Sequence, residues 1–313
     1  MRTSFQFIPP NTNIQFIKRR LIFFMFSAFL VTSSIGLFVF NGLNYGIDFT
    51  GGILIEVKTK GDADIAKLRA TLSTLNVGAV ELQTFGAPDE VLIRVQGQEG
   101  DEKAQIAAIA LVKAALGDGI EYRRTEFVGP KVSTELFWDG VKAIFAAIIA
   151  MLVYIWFRFE WQFGVCAIIA LVHDVFSTIG VFSILWMDFD LSEIAAILTI
   201  AGYSINDTVV VFDRVRENLR KFKAMPLPEL FNRSINETLA RTTMTSFTTL
   251  LALLALYFLG GEVIRGFCFA MIWGVGIGTF SSICLAVPML LYLNLPRGQA
   301  ADRAEEASQQ GTV

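Results

Sequence analysis

Lys18-Arg19-Arg20-Leu21-Ile22-Phe23-Phe24-Met25-Phe26-Ser27-Ala28-Phe29-Leu30-Val31 opens an apolar run that continues to Phe40. A helix that crosses a hydrocarbon core about 30 Å thick needs roughly 20 such residues. The basic cluster in front of the run belongs on the cytoplasmic side of a membrane. A cleaved signal would have a shorter apolar core and a small-residue cleavage site. This run reaches Asn41 with no such site, so a retained first span is expected.

Five further runs repeat the pattern: 141–157, 163–186, 191–212, 245–259 and 267–293. The fifth span is short by this count and is expected to begin nearer Arg241. The sixth carries Gly274, Gly276 and Gly278, small residues that suit close helix packing. Of the 313 residues, 54% are hydrophobic and 18% charged, too little polar surface for a soluble globule. The three cysteines, Cys166, Cys268 and Cys284, all lie inside apolar runs, which excludes a secreted disulfide framework. The net charge of −3 has no basic stripe that would address nucleic acid.

Basic residues fix the direction. Arg214, Arg216, Arg220, Lys221, Lys223 and Arg233 lie between spans four and five, and Arg297 and Arg303 follow span six. The turn Met187-Asp188-Phe189-Asp190 between spans three and four has no basic residue. Six spans then put both termini in the cytoplasm. The expected layout is a cytoplasmic segment 1–20, a first span 21–40, an outer α+β domain 41–135, spans two to six within 136–295 with a basic cytoplasmic loop over about 213–241, and a disordered cytoplasmic tail 296–313.

The outer segment is polar enough to fold in water. Residues 53–59 alternate like a strand, and Ile65, Leu68, Leu72 and Leu75 share one helical face. Strands are expected over 79–85 and 91–95 around the turn Gly86-Ala87-Pro88-Asp89, a helix over 104–116 ending at Gly117, and a last strand over 120–128. The order βαββαβ predicts a ferredoxin-like sandwich, a fold that hosts many functions.

Asp207 is the sharpest chemical signal. An ionised carboxylate near a bilayer centre costs of order 2.5–3.5 kcal/mol on insertion scales, so it pairs, neutralises or lines water. Five residues from the end of the fourth run, it lies roughly 8 Å inside. Tyr203 and Ser204 share its face, Asn206 and Thr208 flank it, and Arg241 opens span five at similar depth with Thr245 one turn on. Burial favours the neutral carboxyl and a facing guanidinium the charged one, so the pair can act as a proton relay. A static ion pair that fixes helix register is the alternative. His173-Asp174 near the middle of span three offers a second relay position, or a structural contact between spans. Adjacent helical residues point about 100° apart, so the two need not touch. Asp213 faces elsewhere and reads as interfacial, and Asp190 and Glu193 at the outer mouth of span four either accept protons from outside or are surface charges, the latter being the expectation. In the stretch Gly46 to Gly52, Gly51-Gly52 permits positive φ, and Asp48 and Thr50 can bond local backbone. That stretch reads as a rigid link from span one to the outer domain, with Gly129-Pro130 in the mirror role before span two. No metal-ligand spacing, nucleotide loop or nucleophile–base pair is present, so no cofactor and no enzymatic activity are expected.

Several stretches together resemble the SecF family of the bacterial protein-export machinery. They are Gly46-Ile47-Asp48-Phe49-Thr50-Gly51-Gly52, Val128-Gly129-Pro130-Lys131-Val132, Ala201-Gly202-Tyr203-Ser204-Ile205-Asn206-Asp207-Thr208 and its continuation to Asn218, and Arg241-Thr242-Thr243-Met244-Thr245-Ser246. The resemblance covers residues 15–295 and implies the resistance-nodulation-division superfamily of proton-driven transporters. It implies a periplasmic outer domain, a bacterial inner membrane, a SecD-like partner, and association with the SecYEG channel, YajC and YidC, with exported polypeptide and lipid as the molecules met. It implies proton conduction through Asp207 and Arg241, coupled to late steps of preprotein export. A half-transporter for a small or lipid substrate and a non-conducting scaffold remain as alternatives.

Overall fold

A computed structural model describes residues 9, 12–98, 102–117 and 119–295. The expected tail 296–313 lies outside the described residues. Among the described residues six helices are long and apolar enough to cross a membrane: α1 (Arg20–Asn41), α5 (Pro130–Arg158), α6 (Trp161–Leu185), α7 (Leu191–Lys221), α8 (Leu227–Leu259) and α9 (Arg265–Ser281), the last continuing through a π-helical turn at Ser282–Ala286. The helices outrun their apolar stretches. The expected basic loop over 213–241 is mostly helix, with only residues 222–226 between α7 and α8. Polar residues there continue a helical face: Asn232, Ser234, Thr238 and Thr242 of α8 are buried, and Asn218 of α7 donates to Ser234 at 2.9 Å.

The chain divides into two units. One comprises Met1–Leu43, Phe145–Met187 and Ala195–Val313, and the other Asn44–Ile144 and Asp188–Ile194. The first unit is the helical bundle. Its core is fixed at the basic end by Phe159, Phe163 and Phe212, the last two 5.1 Å apart edge to face. Arg158 and Arg216 lie over the Phe159 ring, and Arg158 grips both oxygens of Asp213 at 2.6 and 2.7 Å. Lipid is as apolar as the side chains, so association inside a bilayer depends on close packing of small residues. A Cβ on Gly180 of α6 would collide with Ser34 Oγ of α1, and one on Gly274 of α9 would collide with Ile200 of α7. Gly278, one turn on, meets Ser204 Cβ at 3.2 Å, whereas Gly276 meets nothing.

The second unit holds the expected sandwich. Strands β2 (Gly52–Lys58), β3 (Val80–Phe85), β4 (Ala87–Val95) and β5 (Glu121–Val128) pair antiparallel in the order β3-β4-β2-β5, with α3 (Ile65–Leu72) and α4 (Glu102–Leu116) between them in sequence. This is the ferredoxin-like arrangement. Ile53, Ile55 and Val57 alternate into the core with Val91, Ile93 and Val95, against Leu72, Ala108 and Val112. The turn expected over 86–89 is tighter: Ala87, Pro88 and Asp89 already belong to β4, and the chain reverses at Gly86 with φ 79°. Two further pieces carry no sequence pattern. The two-residue strand β1 (Asn44–Tyr45) pairs parallel with β6 (Asp188–Phe189), and a single helical turn, α2 (Ile47–Thr50), follows β1.

Candidate functional site

Three polar clusters are built on these elements. The first lies inside the bundle, where the glycine face of α9 lets it approach α7. Asp174 of α6 is fully buried, and both of its oxygens are occupied. His173 Nδ1 lies 2.8 Å from Oδ1, while Ser204 of α7 and Ser281 of α9 donate to Oδ2 at 2.5 and 2.7 Å. The two neighbours therefore do touch, because their side chains bend toward each other from adjacent faces. His173 Nε2 is buried without a partner. Beside this cluster Thr208 and Ser282 share a hydrogen bond at 2.8 Å, and Ser282 also donates to the Ser204 carbonyl at 3.3 Å. Trp273 of α9 donates to Ser177 of α6 at 2.9 Å, one turn from Asp174.

The second cluster surrounds Asp207, which is 2% exposed. Thr279 of α9 supplies its hydroxyl partner, and the other carboxylate oxygen, Oδ2, is buried and bare. Tyr203 donates to Ser246 of α8 at 3.4 Å, and Ser246 shares a 2.6 Å bond with Thr279, so a line of hydroxyls leads to the carboxylate. Arg241 makes no ion pair with Asp207 within 4 Å. Its side chain is exposed, and its field still reaches the carboxylate. Asn206 and Thr245 are exposed as well. An Asn, an Arg and a Thr on the outside of an apolar bundle form a polar face that hydrocarbon does not solvate.

The third cluster lies in the second unit, at the start of α7. Asp48 does not bond its own turn: its Oδ2 accepts the Leu191 N–H at 3.0 Å, capping α7 across 143 residues of chain. The parallel β1–β6 pair brings the two segments together, and the Gly46 N–H donates to the Phe189 carbonyl at 3.1 Å. Thr50 bonds locally as expected, donating to the Gly46 carbonyl at 3.0 Å. Gly51 and Gly52 have φ of 69° and 124°, and a Cβ on Gly52 would lie 2.6 Å from the Val95 carbonyl oxygen. Gly51 packs beside Pro130 and Ser133, and Pro130 begins α5 while the Ser133 N–H closes on the Gly129 carbonyl. Glu193 is not the surface charge expected but is 4% exposed, held inside because it accepts the Asp190 N–H at 2.8 Å and the Ser192 hydroxyl at 3.0 Å. Asp188 is bound by Asn44 and by the Arg94 guanidinium. Asp190 itself packs on Gly46, with Oδ1 buried and unpartnered. Burial, and then the charges of Asp48, Glu193 and Asp188, push its carboxyl up to about 7, against the pull of Arg94.

Sequence reasoning placed Asp207, Tyr203 and Ser204 on one side of α7, but it missed Ser246, Thr279, Ser281 and Ser282. Hydroxyls in apolar helices leave no periodic trace, and the one available signal was Gly274 and Gly278 preceding the two serines at helical spacing. It also missed Arg94, Asn44 and Asp188, whose partners lie far away in sequence.

Two family models match the chain: the SecD/SecF GG motif over residues 36–63, and the C-terminal part of the protein export membrane protein SecD/SecF over residues 108–295. The protein translocase subunit SecF of Cereibacter sphaeroides is 46% identical over 93% of this chain and 92% of its own. That of Rhodobacter capsulatus is 42% identical over 96% and 94%. The crystal structure of SecDF from Thermus thermophilus, a translocon-associated membrane protein, superposes with a TM-score of 0.82 at 34% identity over 93% of this chain, which spans 40% of that longer protein. With six membrane-length helices, one inserted ferredoxin-like domain and these matches along nearly its whole length, the chain belongs to the SecF family of protein translocase subunits.

Proposed function

We propose that the protein works as one half of a proton-driven export unit in a bacterial inner membrane. Both termini are cytoplasmic in this reading, and the sandwich over 41–135 is periplasmic. A SecD-like subunit completes the unit and covers the polar face of α7 and α8. The observation that carries this reading is the pairing of a buried carboxylate, Asp207, bearing one bare oxygen, with an exposed flank of Asn206, Arg241 and Thr245. An apolar bundle gains nothing from such a flank unless a second polar surface meets it.

In the proposed cycle a proton from the periplasmic side reaches Asp207 along the hydroxyls of Tyr203, Ser246 and Thr279. Arg241 holds the charged carboxylate through space and loses that hold when the proton arrives. The change shifts α7 against α8. The periplasmic domain takes up the shift and acts on an emerging polypeptide during late export, while the ATP-driven push belongs to a separate motor. His173 and Asp174 lie beside this route, tied into the packing of three spans.

The test is export in inverted membrane vesicles, with and without a proton gradient, for wild type and Asp207→Asn. The substitution keeps size and removes titration. Loss of the gradient's stimulation with normal co-purification of the SecD-like partner supports the relay. Unchanged stimulation assigns Asp207 a structural role and makes the scaffold reading the better one.

A further inference from the structure

Asp174 is 0% exposed and gathers groups from three helices. Ser204 Oγ, in a residue 1% exposed, donates to Asp174 Oδ2 at 2.5 Å. Ser281 Oγ, in a residue 0% exposed, stands between two acceptors, Asp174 Oδ2 at 2.7 Å and its own Gly278 carbonyl at 3.1 Å. A serine hydroxyl has a single proton, and it rotates to suit its acceptors. Toward a charged carboxylate both serines point their protons at Oδ2, tying α7 and α9 to α6. A neutral carboxyl protonated at Oδ2 has to donate that proton, so one of the two serines turns and accepts, and both contacts lose their charge assistance.

We infer that Ser204 and Ser281 are positioning residues that convert the charge state of Asp174 into a tie between α6, α7 and α9. This rests on the proton-driven reading above, which it deepens by assigning a second proton-binding carboxylate and the groups that read it. When a proton driven by the gradient binds Oδ2, the Ser281 O–H turns from Asp174 to the Gly278 carbonyl, and what remains between α9 and α6 is a weaker neutral bond in which Oδ2–H donates to Ser281 Oγ. One O–H bond forms at Oδ2, and no bond between heavy atoms changes. His173, on the same helix as Asp174, keeps its bond to Oδ1, and among the described residues it is the one titratable side chain bonded to Asp174. Asp207 lies on α7, three residues beyond Ser204, and is bonded instead to the Thr279 side.

The backbone of span six has the slack to answer this loosening. The π-helical turn at Ser282–Ala286 begins at the residue after Ser281 and replaces i→i+4 bonds with i→i+5 bonds. A π turn can return to α register by sliding one residue, which moves the chain beyond it relative to Ser281. Ser282, bonded to Thr208 and to the Ser204 carbonyl, keeps α9 on α7 while its contact with α6 changes.

The experiment uses the full chain with its SecD-like partner in inverted vesicles and compares Ser281→Ala, Ser281→Thr and Ser204→Ala with Asp207→Asn. Co-purification and thermal melting report assembly. A hydrogen bond to a charged group is strong enough that its loss slows a step by about tenfold or more. Ser281→Ala is therefore expected to lose at least that much of the gradient-stimulated component, with ATP-driven export unchanged, and Ser281→Thr, which keeps the hydroxyl, to retain it. Ser204→Ala is expected to behave as Ser281→Ala does, which keeps the test alive should one variant fail to assemble. Full stimulation in an assembled alanine variant overturns the inference, as does an assembled Ser281→Thr that behaves like Ser281→Ala. If Asp207→Asn abolishes stimulation and both alanine variants keep it, the relay stands and the serine tie falls. If Asp207→Asn keeps stimulation and the alanine variants lose it, the relay through Asp207 falls and the tie at Asp174 stands.

Discussion

Replacing Asp190 with Asn tests the cluster that pins the start of α7 to the segment after α1. Asp190 is pushed up to about 7 from an ordinary 3.8, first by burial and then by Asp48, Glu193 and Asp188. The sign follows from linkage. The folded carboxyl holds its proton more tightly than the unfolded one, so its stabilising share is complete below pH about 4. That share is lost as the pH rises through about 7. A rise from 3.8 to about 7, at about 1.36 kcal/mol for each tenfold change in proton affinity, corresponds to roughly 4 kcal/mol. Part of the Asp190 surface remains in water, so about 2 kcal/mol is the expected loss between pH 5 and pH 8. The assay is hydrogen exchange in the full chain at two amides that report the latch directly: Gly46, which donates to the Phe189 carbonyl, and Leu191, which donates to Asp48. After correction for the intrinsic rate, their protection in wild type falls by roughly thirtyfold over that range. Asp190→Asn keeps the size, cannot ionise and gives a clearly shallower profile, with Glu193 the carboxylate left bonded at that backbone N–H. A flat wild-type profile, or an Asn variant with the wild-type slope, would refute the reasoning.

Two further outcomes follow from glycine positions. Gly52→Ala puts a side chain at φ 124° and a Cβ 2.6 Å from the Val95 carbonyl. Strain of about 1–3 kcal/mol should loosen the β2–β4 pairing, read as faster proteolysis within residues 44–144 while the helical bundle keeps its melting temperature. Gly274→Ala drives a methyl into Ile200, separating α9 from α7. A cost of about 1–3 kcal/mol in the melting of the bundle is expected, together with lower gradient-stimulated export, and unchanged values in both would remove close packing from the account of how Ser281 reaches Asp174.

Much of this structure is legible in the amino-acid order, for definite reasons. Spans announce themselves because a bilayer requires unbroken apolar length. The sandwich does so because Ile53, Ile55 and Val57 must alternate against a core. The start of α8 is illegible to the same reasoning: Asn232, Ser234 and Thr238 dilute the hydropathy, yet they are buried because Asn13, Asn218 and backbone carbonyls receive them. The β1–β6 pair is two residues long on each side, too short to leave an alternation, and so the cap of Asp48 on Leu191 could not be read. Asp207 stood out because a carboxylate is costly in an apolar run. Ser281 did not, because a serine there costs little until its partner is known.

The two buried carboxylates divide the work in the proposed mechanism by what their oxygens touch. Both oxygens of Asp174 are occupied, and any change in its charge must be answered by Ser204 and Ser281. Asp207 has one bare oxygen and a cation at a distance rather than in contact, so a proton can come and go there without first breaking an ion pair. Exchange belongs at Asp207 and transmission at Asp174. Ser204 joins them, since it lies one turn before Asp207 on α7 and holds Asp174 on α6. Movement of α7 on protonation of Asp207 strains the Ser204 bond, and a charge change at Asp174 relaxes it. The same helix is capped by Asp48 at its first residue and gripped through Asp213 by Arg158 near its other end. Substitutions at either grip should therefore weaken gradient coupling while leaving ATP-driven export intact.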